Sequence, residues 1–226
     1  MQKIKKRIIF IIFLIFLLFF GFLFLDQEKE KNETKQFNFA YHNYEKLSKE
    51  QENATYMPGA DSNSIRQDLD RILSAVLTQN MENNERLKMA KEGMKLIKKL
   101  EAQIDLIGIK GEQLSGAVSK MEEAGSNLSD KEQKDYAEAI VQTAKEKLSI
   151  SSDIRGLSYR ANYHVVEIFK RIISDKGELT SSHIKFLNDK IPEVEEQFNK
   201  RSGLYDELGD LNNKLNAEYN DFENSL

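Results

Sequence analysis

The chain has 226 residues, of which 31% are charged, and it contains no Cys and no Trp. The absence of Cys excludes disulfides, thiol catalysis and iron–sulfur clusters. The formal net charge is −4, and the first 25 residues hold four basic and no acidic side chains, so the remainder of the chain carries −8. This acidic balance argues against nucleic acid as a partner, because phosphate binding draws on an excess of Lys and Arg.

An unbroken run of eighteen apolar residues fills positions 8–25 and follows a basic segment, residues 3–7. At about 1.5 Å per residue, a helix of this length spans roughly 27 Å, close to the hydrocarbon core of a bilayer. The run is longer than the apolar region of a typical signal peptide, and no small-residue cleavage site follows it. The sequence therefore predicts an uncleaved transmembrane helix, with residues 1–25 as a membrane anchor and the lipid bilayer as the partner of residues 8–25.

Basic residues flank the apolar run unequally. Lys3, Lys5, Lys6 and Arg7 precede it together with the α-amino group, whereas three lysines lie a little further downstream. The side with the greater excess of Lys and Arg usually stays in the cytoplasm. We therefore expect a single-pass protein whose N-terminus is cytoplasmic and whose C-terminal domain is extracytoplasmic.

Residues 26–60 begin with a charged stretch that has no apolar periodicity, which predicts a flexible juxtamembrane linker. An aromatic group within it, formed by Phe37, Phe39, Tyr41 and Tyr44, is a candidate docking site for a partner. The alternative is that this segment folds back onto its own bundle. The spacing leaves both helix and strand open, because short runs cannot be assigned from periodicity alone.

Residues 61–226 carry apolar side chains at alternating spacings of three and four, which is typical of helices packed as coiled coils. We predict helices at about 61–124, 129–176 and 181–226. Since short connections make neighbouring helices antiparallel, the fold class is an all-α, elongated, antiparallel three-helix bundle behind the anchor. Two places could break the first helix, near Asn80–Asn84 and near Gly108–Gly116.

Three local signals refine these helices. Ser129 and Glu132 form a predicted capping box at the start of the second helix, and Gly177 predicts its end. In the third helix, one apolar stripe predicts that four side chains are buried, namely Val194, Phe198, Leu208 and Leu215. The first helix has a lysine stripe at Lys88, Lys91, Lys95, Lys98 and Lys99. This stripe could face the acids Glu193, Glu195 and Glu196, or it could bind anionic lipid or an acidic partner.

The sequence contains no catalytic, nucleotide-binding or metal-binding motif, and its three His form no helical ligand pair. We therefore expect no enzyme and no cofactor. The favoured hypothesis is a non-enzymatic, membrane-tethered helical scaffold or protein-interaction module. Its helix flanks would contact a protein partner or a second copy. Two alternatives remain open, a sensor-type bundle that binds a ligand and a secreted bundle released by signal cleavage.

Overall fold

The computed structural model describes residues 27–51, 62–78 and 80–226, and all regular structure in these ranges is helical. Helix α1 covers residues 27–51, followed by α2 (Ser62–Val76), α3 (Asn83–Ser126), α4 (Lys131–Ser174) and α5 (Ser181–Asn224). The prediction of an all-α bundle is thus confirmed. The predicted anchor at 8–25 lies outside the described ranges, and no helix within them is long and apolar enough to cross a bilayer.

Contacts at the two ends of α1 fix its direction in the bundle. Near its start, Glu33 accepts hydrogen bonds from Ser129 in the α3–α4 turn, and near its end Glu50 pairs with Lys110 in the middle of α3. Helix α1 therefore runs antiparallel to α3. Helix α2 continues in the same direction, since its last residue, Val76, contacts Arg86 at the start of α3.

The architecture is an up-down-up-down bundle with four columns, not the predicted three. Helices α3, α4 and α5 have 44 residues each, which at 1.5 Å per residue makes each about 66 Å long. Helices α1 and α2 together form the fourth column. The fourth column was not predicted, because α1 begins with charged residues that are typical of a linker.

Residues 27–51 differ from the linker expected over 26–60. They are helical, and Phe37, Tyr41 and Tyr44 are buried with exposures of 0, 3 and 1%. Spacings of four and three residues place these rings on one face of a helix, whereas Phe39 falls off that face and is 78% exposed. Burial of the rings stabilises the helix despite its charged flanks, so the fold-back alternative describes this segment.

The predicted first helix is interrupted near Asn80–Asn84, and residues 77–82 separate α2 from α3. The second possible break does not occur, because α3 continues through Gly108, Gly111 and Gly116. The α3–α4 and α4–α5 turns fall at 127–130 and 175–180, as predicted.

The start of α4 is capped differently from the predicted box. Asp130 is the N-cap, and its carboxylate accepts a 2.8 Å hydrogen bond from the Gln133 N–H. Ser129 instead donates to Glu33 of α1 through its N–H at 2.9 Å and its hydroxyl at 2.6 Å. These bonds, chiefly the one from the hydroxyl, lower the pKa of Glu33. The N-cap is therefore one residue later than predicted, and Ser129 bonds to α1 instead.

The predicted stripe of α5 is only partly buried. Val194 and Leu215 are 8% and 4% exposed, and Leu208 is half-buried. The prediction for Phe198 is wrong, since its ring is 37% exposed. The helix is continuous through Pro192. The middle of α5 is therefore less tightly covered than its two ends.

Two hydrophobic clusters divide the core along the bundle axis. The α1 cluster lies at the end with the α3–α4 turn and is built around Phe37, Tyr41, Tyr44, Leu114, Val118, Met121, Ile140, Leu215, Tyr219 and Phe222. The α2 cluster lies at the end with the α4–α5 turn and is built around Ile65, Leu69, Ile72, Val76, Ala90, Ile97, Leu100, Val165, Ile168, Phe169 and Ile172. The α1 cluster joins the C-terminal half of α3 to the N-terminal half of α4, and the α2 cluster joins the other two halves.

A buried arginine ties together the turns at the α2 end. The Arg86 side chain is 2% exposed, and its guanidinium donates to the carbonyls of Val76, Thr78 and Gly177 at 3.0, 2.8 and 2.8 Å. These carbonyls belong to the end of α2, the following turn and the α4–α5 turn. One side chain thus satisfies backbone acceptors from three segments that meet at this end of the bundle.

Replacing Arg86 with Leu should lower the free energy of unfolding by about 3 kcal/mol, because buried carbonyls lose charge-assisted hydrogen bonds. Chemical denaturation of the full chain, followed by circular dichroism, measures the change. The matched control is Lys88→Leu, an exposed position in the same helix, which should change stability by about 0.5 kcal/mol or less. Equal effects of the two variants would contradict the role assigned to Arg86.

Two glycines of α3 provide a second test of the packing. A Cβ at Gly93 would lie 2.4 Å from the Phe169 ring, whereas a Cβ at Gly116 would meet nothing within 4 Å. Gly93→Ala should therefore destabilise the bundle by about 1–3 kcal/mol through overpacking. Gly116→Ala should stabilise it by about 0.5–1 kcal/mol, because Ala is the better helix former. Thermal melts that shift in the same direction for both variants would contradict this packing.

Candidate functional site: a cavity between the two core clusters

A cavity of about 380 Å³ lies at the middle of the bundle, between the α1 and α2 clusters. All three long helices and α2 contribute to its wall. Its apolar side chains are Leu69 of α2, Leu100, Ile104 and Ile107 of α3, Ile154 of α4 and Phe198 of α5. The volume falls in the range of small-molecule sites, which are mostly apolar with a few polar groups.

Helix α4 places a polar pair on the cavity wall. Ser158 and Asn162 are only 6% and 9% exposed, and they lie one helical turn apart on the same face. The Ser158 hydroxyl donates to the Ile154 carbonyl at 2.9 Å and accepts from Arg201 of α5 at 3.4 Å. Within the described part of the chain, the Asn162 amide nitrogen is buried without a hydrogen-bond partner. A buried amide nitrogen without a partner costs free energy, so Asn162 is unfavourable for stability at this position.

Arg155 of α4 is a lining residue of the cavity, and the end of its side chain lies against α3 at Gly108, a residue that does not line the cavity. A Cβ at Gly108 would lie 2.4 Å from the central carbon of its guanidinium. The Nε of Arg155 is buried and has no hydrogen-bond partner among the described residues. Beside it, the Tyr159 hydroxyl donates to the Asp105 carboxylate, and this bond raises the pKa of Tyr159.

The charges around the cavity are unequal. Arg155 and Arg201 are among its lining residues, and the one acidic residue among the described lining residues is Asp70 of α2. Asp70 is exposed to solvent, so water screens its charge more than that of the two half-buried arginines.

The four predicted docking residues, at positions 37, 39, 41 and 44, do not form one exposed surface. Tyr41 stacks on Tyr219 of α5 with ring centroids 3.6 Å apart and planes 5° from parallel, and Phe37 packs on Phe222 at 4.8 Å. Tyr44 lies under the Lys147 ammonium, 5.7 Å from the ring centroid. These three rings hold α1 in the bundle, and only Phe39 is available at the surface.

The lysine stripe of α3 lies at the α2 end. Its five members, residues 88, 91, 95, 98 and 99, are exposed on the side of α3 opposite the buried Ala90 and Ile97. The acids proposed to face it pair elsewhere, Glu193 with Lys190 and Glu196 with Lys200. No ion pair between the stripe and these acids occurs in the described ranges.

Comparison with known proteins gave no match to a family model, a curated protein or a solved structure.

Sequence reasoning did not single out Arg155, Ser158, Asn162 or Arg201. The apolar positions of α4 continue through this region at Ile154, Leu157 and Ala161, so its helical character is unaffected. A signal was nevertheless present, because Ser158 and Asn162 stand at helical spacing beside the apolar stripe. Polar side chains beside the apolar stripe of a helix indicate that the apolar core is interrupted there.

The aromatic contact between α1 and α5 predicts a loss of stability in alkali. Burial, with smaller contributions from Glu45 and Glu223, raises the pKa of Tyr41 to about 12. An unfolded Tyr titrates near pH 10, so the unfolded chain loses this proton first and stability falls as the pH rises from about 10 to 12. In Tyr41→Phe the urea midpoint should fall less than in wild type over this pH interval. Tyr163→Phe, which changes an exposed ring, should show the same fall as wild type. Identical pH profiles for Tyr41→Phe and wild type would contradict the assignment.

Proposed function

We propose that this protein is a non-enzymatic, membrane-tethered helical bundle that binds a small molecule in its central cavity on the extracytoplasmic side. The observation that carries the ligand-binding function is a cavity of about 380 Å³ whose apolar wall also carries the polar residues Ser158, Asn162 and Arg201. A cavity that served only as a packing defect would be expected to have an apolar lining. The sensor-type alternative thereby gains support over a plain scaffold.

The tether in this proposal is the apolar run at 8–25, which meets the length requirement of a bilayer span. Helix α1 is described from residue 27 and is built into the core through Phe37 and Tyr41. A short connection between anchor and core would hold the bundle close to the membrane at its α3–α4 end. The α2 end, with the lysine stripe, would then face away from the membrane.

A separate observation, the lysine stripe of α3, supports the scaffold function. The lysine stripe concentrates positive charge on a bundle whose overall charge is negative, and a partner with an acidic surface would complement it. If so, a double substitution such as Lys91→Glu with Lys95→Glu should abolish crosslinking of the membrane-bound protein to that partner. The matched control is Lys131→Glu with Lys134→Glu at the opposite end of the bundle.

The tether is tested by fractionation of cells that express the full chain. We expect the protein in the membrane fraction, resistant to carbonate extraction, and a version lacking residues 1–25 in the soluble fraction. The bundle should be digested by protease added from the extracytoplasmic side. A mature N-terminus between residues 25 and 33 would contradict the anchor and favour the secreted alternative.

The ligand-binding function is tested by comparing what co-purifies with the full-length protein in lipid nanodiscs. Mass spectrometry should detect a small molecule with the wild type that is depleted in Ile104→Trp, where the larger side chain fills the cavity. Ile109→Trp is the matched control, since Ile109 lies in the same helix and is 56% exposed. Equal small-molecule content in all three proteins would contradict a ligand in this cavity.

A further inference from the structure

We propose that the central cavity binds a lipid-like molecule with one unbranched hydrocarbon chain, which is held by the chain while its head group stays outside at the surface of α5. This inference rests on the proposed ligand-binding function and specifies the chemical class of the ligand. Three features of the cavity support it: an apolar floor, a rim that is open along α5, and a narrow shape that extends along the bundle axis.

The floor of the cavity consists of its buried lining residues, and three of the five are aliphatic. Leu69 of α2, Leu100 of α3 and Ile154 of α4 are 7, 6 and 8% exposed. Side chains that line an empty apolar space lose dispersion contacts, and a hydrocarbon chain would restore these contacts. The floor therefore favours a hydrocarbon.

The two polar residues of the floor leave no place there for a head group. The Ser158 hydroxyl is already bonded to the Ile154 carbonyl and to Arg201. The Asn162 amide nitrogen is enclosed by protein, so a molecule in the cavity does not reach it. A charged or strongly polar head group at this depth would lack a partner, and its burial would be costly. The chain alone therefore occupies the floor.

The rim of the cavity is formed by Phe198, Arg201 and Tyr205 of α5 and is partly open to solvent. The Phe198 and Tyr205 rings are 37% and 38% exposed, and none of the described residues 195–214 of α5 is buried. Arg201 and the acidic lining residue Asp70 carry opposite charges, and both already have interaction partners in the protein. A head group at this rim can therefore stay hydrated, and its charge has little influence on binding.

The lining residues extend along the bundle axis. They span residues 100–107 of α3, 154–162 of α4 and 198–205 of α5, which at 1.5 Å per residue is about 10–12 Å in each helix. A volume of about 380 Å³ spread over this length makes a narrow space. One extended chain fits this space, whereas the paired chains of a phospholipid are too wide for it.

The test is photolabelling of the full-length protein in lipid nanodiscs, with the labelled residues mapped by mass spectrometry. Two probes are analogues of 1-decanol that carry a diazirine either at the end of the chain or beside the hydroxyl. We expect the chain-end diazirine to label the floor at Leu69, Leu100 or Ile154, and the other diazirine to label the rim at Phe198 or Tyr205. The reverse pattern, or equal labelling of the floor by both probes, would overturn the proposed orientation.

Two further probes test the head group and the number of chains. Each carries its diazirine at the end of a chain, and floor labelling is scaled to the labelling of the nanodisc lipid. A decyl sulfate probe should label the floor within about fivefold of the decanol probe, because its charge stays in solvent. A phospholipid probe with two chains should label it at least about tenfold less. A larger effect of the charge, or equal labelling by the phospholipid, would contradict a single chain held without its head group.

Variants separate the class of ligand from the existence of the site. Ile104→Trp should lower floor labelling by the chain-end decanol probe at least about tenfold, and the matched control Ile109→Trp should leave it within about twofold of wild type. If circular dichroism shows that Ile104→Trp is unfolded, Ile107→Trp replaces it. If co-purification detects a small molecule that Ile104→Trp depletes but no probe labels the floor, the single-chain class is wrong although the cavity binds a ligand. If labelling and co-purification both fail, the ligand-binding function itself fails.

Discussion

The bundle depends on a fourth apolar stripe that covers three helices of equal length. Helices α3, α4 and α5 are each about 66 Å long, and α4 packs against both α3 and α5. Helices α1 and α2 cover apolar side chains that these three helices leave at the two ends of the bundle. The α1 rings seal one end, where Phe37 packs on Phe222 and Tyr41 stacks on Tyr219. The aliphatic stripe of α2 seals the other end, around Ile72 and Val76.

This fourth column consists of two separate helices, α1 and α2, and the division affects the packing in the middle of the bundle. The α1 cluster reaches Leu114 in α3, the α2 cluster stops at Leu100, and the cavity lies between these two levels. Polar residues of α4 and α5 occur at this level, where the core is least tightly packed. The proposed ligand-binding function is assigned to the middle of the bundle because the cavity and its polar lining residues lie there and not at the ends.

The α2 end is held by hydrogen bonds as well as by apolar packing. Gly177 has φ +87°, and a Cβ there would lie 1.9 Å from the Asn83 carbonyl oxygen, so the α4–α5 turn rests directly on the start of α3. Arg86 bonds to the Gly177 carbonyl in the same contact. His183 supports the turn from α5, accepting from the Thr180 N–H at Nδ1 and donating from Nε2 to Asp175. These contacts fix one end of the bundle while its middle remains more open.

The sequence by itself determined the helical class, the ends of the two long C-terminal helices and the location of the turns. Apolar spacing of three and four, Gly177 and the polar residues Asn127, Ser129 and Asp130 are local signals, and helices form and end by local rules. The apolar run at 8–25 and its length can also be read directly from the sequence. Its interpretation as an anchor remains a prediction.

Only the tertiary structure decided that residues 27–51 belong to the core, that Ser129 bonds to Glu33 and that Gly108 makes room for Arg155. Each of these facts joins positions more than 45 residues apart. Local patterning carries no information about such pairs, because a charged segment, a serine and a glycine each have several conformations that satisfy local rules. The partner across the bundle selects among them, and for the same reason the cavity could not be located from the sequence of any one helix.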